Sequence, residues 1–142
     1  MVRRIDELFD DFDLLDDWEE RYRYVIELGR ALPAMDDALK TPATKVSGCA
    51  SQVWIHSQPL ITAGRTHLKL DGDSDALIVK GLIAIAFHMF DGLTTADIVA
   101  YDAGTAFTRL GLAEHLTPQR SNGFAAMIGR IKADARAVAA LA

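Results

Sequence analysis

Apolar residues recur at three- and four-residue steps where the chain begins. Ile5, Leu8, Phe9, Phe12 and Leu15 share one helical face, which predicts a helix over residues 5–15. Asp17 starts a second helix, and Glu20 three positions on completes a capping box with Asp in place of Ser or Thr. Trp18, Tyr22, Val25, Gly29 and Leu32 form its stripe, and Pro33 stops it. Residues 40–45 read as loop. The period then drops to two. Val53 and Ile55 alternate with Gln52, Trp54 and His56, residues 57–64 read as a turn, and Thr66, Leu68 and Leu70 alternate with His67, Lys69 and Asp71. That is an antiparallel hairpin with one buried face. A lone hairpin is marginal, so helices or another strand must cover it.

Asp71, Gly72, Asp73, Ser74 and Asp75 carry turn and cap chemistry. Residues 76–90 are apolar nearly all round and predict a buried central helix, ended by Gly92 at or near C′. Thr94, with Asp97 three residues later, caps a short helix to Tyr101. Phe107, Leu110 and Leu112 mark another short piece. Thr117 and Pro118 pair a cap with proline at the first helical position. Phe124, Met127, Ile131, Ala135 and Val138 stripe the last helix. The order of helices, hairpin and helices predicts an α+β fold, with helices packed on one face of a small antiparallel sheet. The length suits a single domain over residues 1–142.

Composition narrows the function. Half the residues are hydrophobic, enough for a core, and the net charge of −5 opposes nucleic-acid binding by phosphate neutralisation. Acidic residues crowd the first twenty positions. They read as a solvated helix face, with a docking surface for a basic partner as the alternative. Met1, Val2, Arg3 and Arg4 are followed by acids and not by an apolar run, so no leader peptide is expected. The longest apolar stretch, residues 82–90, is interrupted by His88 and too short to span a bilayer. A reducing compartment, the cytoplasm, is expected.

Cys49 is the only cysteine. It can form no internal disulfide and no thiolate cage. An isolated cysteine is often an inert core residue, but Ser47, Gly48, Ala50, Ser51 and Gln52 around it favour a loop tip and a reactive thiol. Arg120, Lys45 and Arg65 are candidate cations for its thiolate. Metal chemistry has little support. His56 and His67 could face each other across the hairpin, though two solvated histidines are the simpler reading, and His88 reads as a satisfied core histidine. Asp71, Asp73 and Asp75 resemble a calcium loop faintly, but the twelfth position is Leu82, not glutamate. No phosphate-binding loop and no Gly-x-Ser-x-Gly turn occurs.

Four blocks together resemble the SufE/CsdE family of sulfur-acceptor proteins. They run over residues 18–29 (from Trp18, Glu19, Glu20, Arg21 and Tyr22), 46–54 (Gly48, Cys49, Ser51, Gln52, Val53 and Trp54), 72–82 and 115–123. The resemblance implies a SufE/IscU/NifU-like fold. It implies that Cys49 matches the sulfur-accepting cysteine, loaded by a pyridoxal-phosphate cysteine desulfurase of the SufS/CsdA type and unloaded towards an iron–sulfur scaffold. The pyridoxal phosphate is expected on that partner, with no cofactor and no metal on this chain, and with neither nucleic acid nor membrane as partner. The extra ligand cysteines of the cluster scaffolds are missing, so the chain is expected to carry sulfur and not to build clusters. Asp75 and Arg120 fall in matching blocks. With Gly48, Ser51 and Gln52 they are expected to support the cysteine or contact the partner, against a plain capping or surface-pair role. An apolar hollow would shield the persulfide, and Gly48 would let the loop swing outward. Two other readings stay open: an allosteric activator of the desulfurase with Cys49 incidental, and a single-cysteine thiol redox protein, which has no CxxC motif behind it. A homodimer is compatible with all three.

Overall fold

A computed structural model describes residues 3–141. Met1 and Val2, which opened the leader-peptide argument, lie outside the described residues, as does Ala142. The helices α1 (Arg4–Asp13) and α2 (Trp18–Ala31) come first, and a single 3₁₀ turn (Asp37–Leu39) follows. The strands β1 (Val53–Thr62) and β2 (Arg65–Ser74) come next. Then follow α3 (Leu77–Phe90), α4 (Thr95–Ala100), α5 (Ala103–Arg109), α6 (Leu112–His115) and α7 (Pro118–Ala140). The α+β expectation holds.

The central helix is α3, because almost every side chain it carries must leave water. Leu82, Ile83, Ile85, Ala86 and Met89 are fully buried in it. Ile5, Leu8, Phe9 and Phe12 of α1 join that core, as do Phe124, Met127, Ile131 and Ala135 of α7. The helices α2 and α3 cross at two glycines. A Cβ on Gly29 would stand 2.7 Å from the Leu77 carbonyl oxygen, and one on Gly81 would run into the Val25 carbonyl. Only hydrogen at both positions lets the backbones approach this closely.

The two strands pair antiparallel from Val53↔Ser74 to Thr62↔Arg65. Val53 and Ile55 are fully buried on the covered face. A Cβ on Gly72, on the same face, would meet Ile83 and Phe87 of α3 at 2.9 Å. Ser57 donates to Asp134 of α7 at 2.7 Å. The helices therefore cover one face of the hairpin at its base, whereas farther out Pro59 and Ile61, on the same face, are exposed, so the expected buried face forms over only part of the hairpin.

Several boundaries differ from the expectations. The turn is not residues 57–64 but Ala63 and Gly64 alone, at φ +52° and +75°. Both strands run on to meet there. Pro59 lies inside β1, where a two-strand ribbon has an open edge on each strand and tolerates it. Asp71 and Asp73 belong to β2 and are not turn residues; the helix that follows has Ala76 at its N-cap, with no side-chain cap. The stretch read as loop contributes a bridge, Lys45↔Trp54, on the outer side of β1. Helix α1 stops at Asp13, leaving Leu14 79% exposed. The piece marked by Phe107, Leu110 and Leu112 is two helices, divided by Gly111 at φ +75°.

The predicted caps mostly form. Asp17 accepts from the Glu20 N–H at 2.8 Å, although the Glu20 carboxylate reaches the Asp16 N–H and not that of Asp17. Thr94 accepts from Asp97 N–H at 3.3 Å and Thr117 from Arg120 N–H at 3.2 Å. Gly92 follows α3 at φ +80°.

Candidate functional site

Cys49 sits on the connection into β1, and that connection is pinned at both ends. On one side Val46 N–H donates to the Val53 carbonyl at 2.8 Å, and Ile55 N–H donates to the Thr44 carbonyl at 2.9 Å. On the other, Gln52 N–H donates to the Asp75 carboxylate at 3.0 Å, while Asp75 N–H donates to the Gln52 carbonyl at 3.3 Å. Asp75 thus fastens the end of the loop to the start of α3. Between these anchors Ser47, Gly48 and Ala50 are exposed.

Gly48 has φ +90°, in the region that strains any other residue. There the chain turns so that the Cys49 side chain points back towards α7. The thiol is half-buried, and its sulfur stands 3.6 Å from the Gly123 carbonyl oxygen, a weak S–H···O contact. A Cβ on Gly123 would lie 3.7 Å from Sγ. A cavity of about 150 Å³ opens here. Ile78 and Leu82 of α3, Arg120 and Met127 of α7, and Ser51 of the loop line it with Cys49.

Burial pushes the Cys49 thiol above its ordinary pKa, and no neighbouring cation acts against it. Of the three candidate cations, only Arg120 lines this cavity. Its side chain makes no ion pair among the described residues. Lys45 is exposed and outside the wall. Arg65 is at the far end of the hairpin, about 30 Å away at ~3.3 Å per residue. The resting thiol is therefore protonated at neutral pH, with the Arg120 cation in the same cavity wall.

The other sequence candidates disperse. Gln52 is exposed, and it acts on the loop through its backbone. His56 lies opposite Asp71 and His67 opposite Leu60, so the two histidines do not face each other. His67 Nδ1 lies 3.0 Å from the Leu93 carbonyl oxygen, and His115 stacks on Trp18 at 4.5 Å. Asp73 pairs with Lys40 at 2.6 Å and Lys80 at 3.2 Å, which makes it a tether and not an ion ligand. No group of three potential metal ligands exists among the described residues. Gly123 is the residue that reasoning on the chemistry passed over. It has no chemistry of its own, and only the fold shows that it lies against the sulfur, with its carbonyl oxygen 3.6 Å from Sγ.

A single half-buried thiol on a pinned loop, above a small hollow and beside an unpaired arginine, defines a one-thiol α+β domain. The comparisons with known proteins place that class. The family model described as SufE, Fe–S metabolism associated domain, matches residues 6–135. A SufE-like protein of Rhizobium etli is 47% identical over 136 residues, covering 96% of this chain and 92% of its own. One from Rhizobium meliloti is 48% identical over 131 residues, with 92% and 94% covered. The solution structure of a hypothetical protein from Thermus thermophilus superposes with a TM-score of 0.73 at 21% identity, over 96% of each chain, and shares the fold. The chain belongs to the SufE family and to Fe–S metabolism. Among the described residues no helix is long and apolar enough to cross a membrane.

Proposed function

We propose that Cys49 is a sulfur acceptor. A cysteine desulfurase, carrying its own pyridoxal phosphate, presents a persulfide. The Cys49 thiolate attacks the outer sulfur, the S–S bond of the donor breaks, and the donor cysteine leaves as a thiolate. The new S–S bond on Cys49 holds the same sulfur at the same oxidation level, so no outside oxidant or reductant enters. The persulfide then passes to an acceptor that serves iron–sulfur cluster assembly.

The observation that carries this reading is the placement of the thiol. It sits at the surface end of a hollow of about 150 Å³. One added sulfur, about the size of a water molecule (roughly 30 Å³), fits in that space. The wall is apolar on the α3 side, which shields a group that bulk thiols would reduce. The exposed residues either side of Cys49 and the positive φ of Gly48 let the loop carry the sulfur outward while Val46 and Asp75 hold its ends. Burial suppresses the thiolate at rest, so attack waits for a partner that changes the surroundings. Gly48, Ser51, Gln52, Asp75 and Arg120 support this cycle: hinge, wall, loop end, anchor and cation.

The test is mass spectrometry of the intact protein after incubation with desulfurase and free cysteine. One sulfur atom should be added, lost on reduction, and absent in Cys49→Ser. Equal sulfur loading of the Ser variant removes Cys49 from the mechanism. Undiminished stimulation of the desulfurase by that variant favours the activator reading.

A further inference from the structure

A larger cavity, about 380 Å³, opens at the other end of α3. That volume falls within the range of small-molecule sites (roughly 300–1,000 Å³). It does not share a wall residue with the Cys49 hollow. Val79 and Phe87, one from each wall, are about 12 Å apart along the helix at ~1.5 Å per residue. The cavity lies between the ends of α2 and α3 and the middle of β2. Its apolar surface comes from Leu28 and Leu32 of α2, Leu70 of β2, and Phe87 and Phe90 of α3. Leu60, 48% exposed, adds an apolar lip.

The titratable groups in this wall are Arg4, His67, Lys69, His88 and Asp91. Their arrangement is specific. His88 Nδ1 lies 2.6 Å from the Ala84 carbonyl, which can only accept, so Nδ1 carries the proton. The Nε2 lone pair then accepts from the Arg4 guanidinium at 3.4 Å. Burial holds the His88 pKa down, which keeps that lone pair available. His88 therefore steadies Arg4 at the cavity without neutralising it. Neither Arg4 nor Lys69 has a carboxylate within ion-pair distance among the described residues. In a chain of net charge −5, two unpaired cations beside an apolar hollow leave a local demand for negative charge. Asp91, in the same wall, disfavours a doubly charged head.

We propose that this cavity binds a small amphipathic monoanion, with its apolar body against Leu32, Leu70 and Phe87 and its carboxylate at Arg4 and Lys69. The site is independent of the sulfur-acceptor reading and survives if that reading fails.

Decanoate is the probe, titrated into the full chain by calorimetry and followed by amide NMR. Saturable one-to-one binding is expected, with shift changes centred on residues 28–33, 67–70 and 84–93. Arg4→Gln and Lys69→Gln, both at exposed positions, should each weaken binding about tenfold, the worth of one charge-assisted contact. Cys49→Ser should bind as the natural chain does, and decanol should bind more weakly than decanoate. The proposal is overturned by absence of saturable binding, by decanol matching decanoate, by both charge variants binding unchanged, or by shifts centred on the Cys49 loop.

Discussion

At the scale of single residues, the behaviour of Cys49 follows from what surrounds its sulfur. Burial raises the pKa with no cation opposing it. The thiolate fraction at neutral pH is therefore below that of a free cysteine. Alkylation by iodoacetamide should rise with pH to a midpoint above the ordinary thiol value of about 8.5. The same shift bears on stability. The unfolded chain loses this proton first, so Cys49 favours the fold below the unfolded value and withdraws that support as pH climbs through the folded one. A midpoint at or below the free-cysteine value would contradict the half-buried resting state. Gly123 offers a second handle. A methyl there meets Sγ at ordinary contact distance, 3.7 Å, and α7 gains a better helix former. Gly123→Ala should keep or raise stability, by up to about 1 kcal/mol. A persulfide on Cys49, deprived of room, should be reduced faster by small thiols. Equal persulfide lifetimes in variant and natural protein would show that the hollow is not the shelter.

At the scale of elements, the hairpin is half legible in the sequence. Period-two alternation locates both strands, yet it leaves residues 57–64 as the turn, where only Ala63 and Gly64 form one. Two-residue turns of this hand need positive φ at both positions and are usually announced by Asn-Gly or Asp-Gly. Here Ala63 occupies the first at φ +52°, with no polar side chain to flag it. That conformation costs an alanine about 1 kcal/mol. Ala63 is exposed, so Ala63→Asn should stabilise the protein by about 0.5–1 kcal/mol in denaturant unfolding, with the slope unchanged. A destabilised variant would mean that the turn adopts another geometry. The acidic run of residues 71–75 misleads for a related reason. Asp and Gly are turn formers on average, but Gly72 is required on β2 because Ile83 and Phe87 press against that face. Tertiary packing overrides local preference.

At the scale of the whole molecule, one carboxylate ties three segments together. Asp73 of β2 meets Lys40 from the segment before the cysteine loop and Lys80 from α3. Burial works against its ionisation, but bonds from Lys40, the Ser74 N–H and Lys80 outweigh it and hold its pKa below the usual carboxylate value. The unfolded chain then binds the proton more readily. Asp73 contributes stability above the unfolded value, about 3.9, and loses it as pH falls through the lower folded one. Asp73→Asn should be less stable than the natural protein at neutral pH, and the gap should close in acid. A gap that stays constant across that range would assign the loss to packing and not to charge.

The chain by itself determined the things that local rules control: which stretches are helical, where most caps fall, that a hairpin separates two helical groups, and that the one thiol has small and polar sequence neighbours. The Gly-Cys block also pointed to the family, which the comparisons support. Tertiary structure alone decided the rest. Cys49 is half-buried because α7 packs beside it, bringing up Gly123, 74 positions away. Which cation stood near it depended on how α7 folds back, and that brought Arg120 and excluded Lys45 and Arg65. Asp75 became an anchor only because α3 begins beside Gln52. Periodicity reports the environment of a residue within its own element. The neighbours of a functional group come from distant elements, and their approach is set by packing of the assembled core.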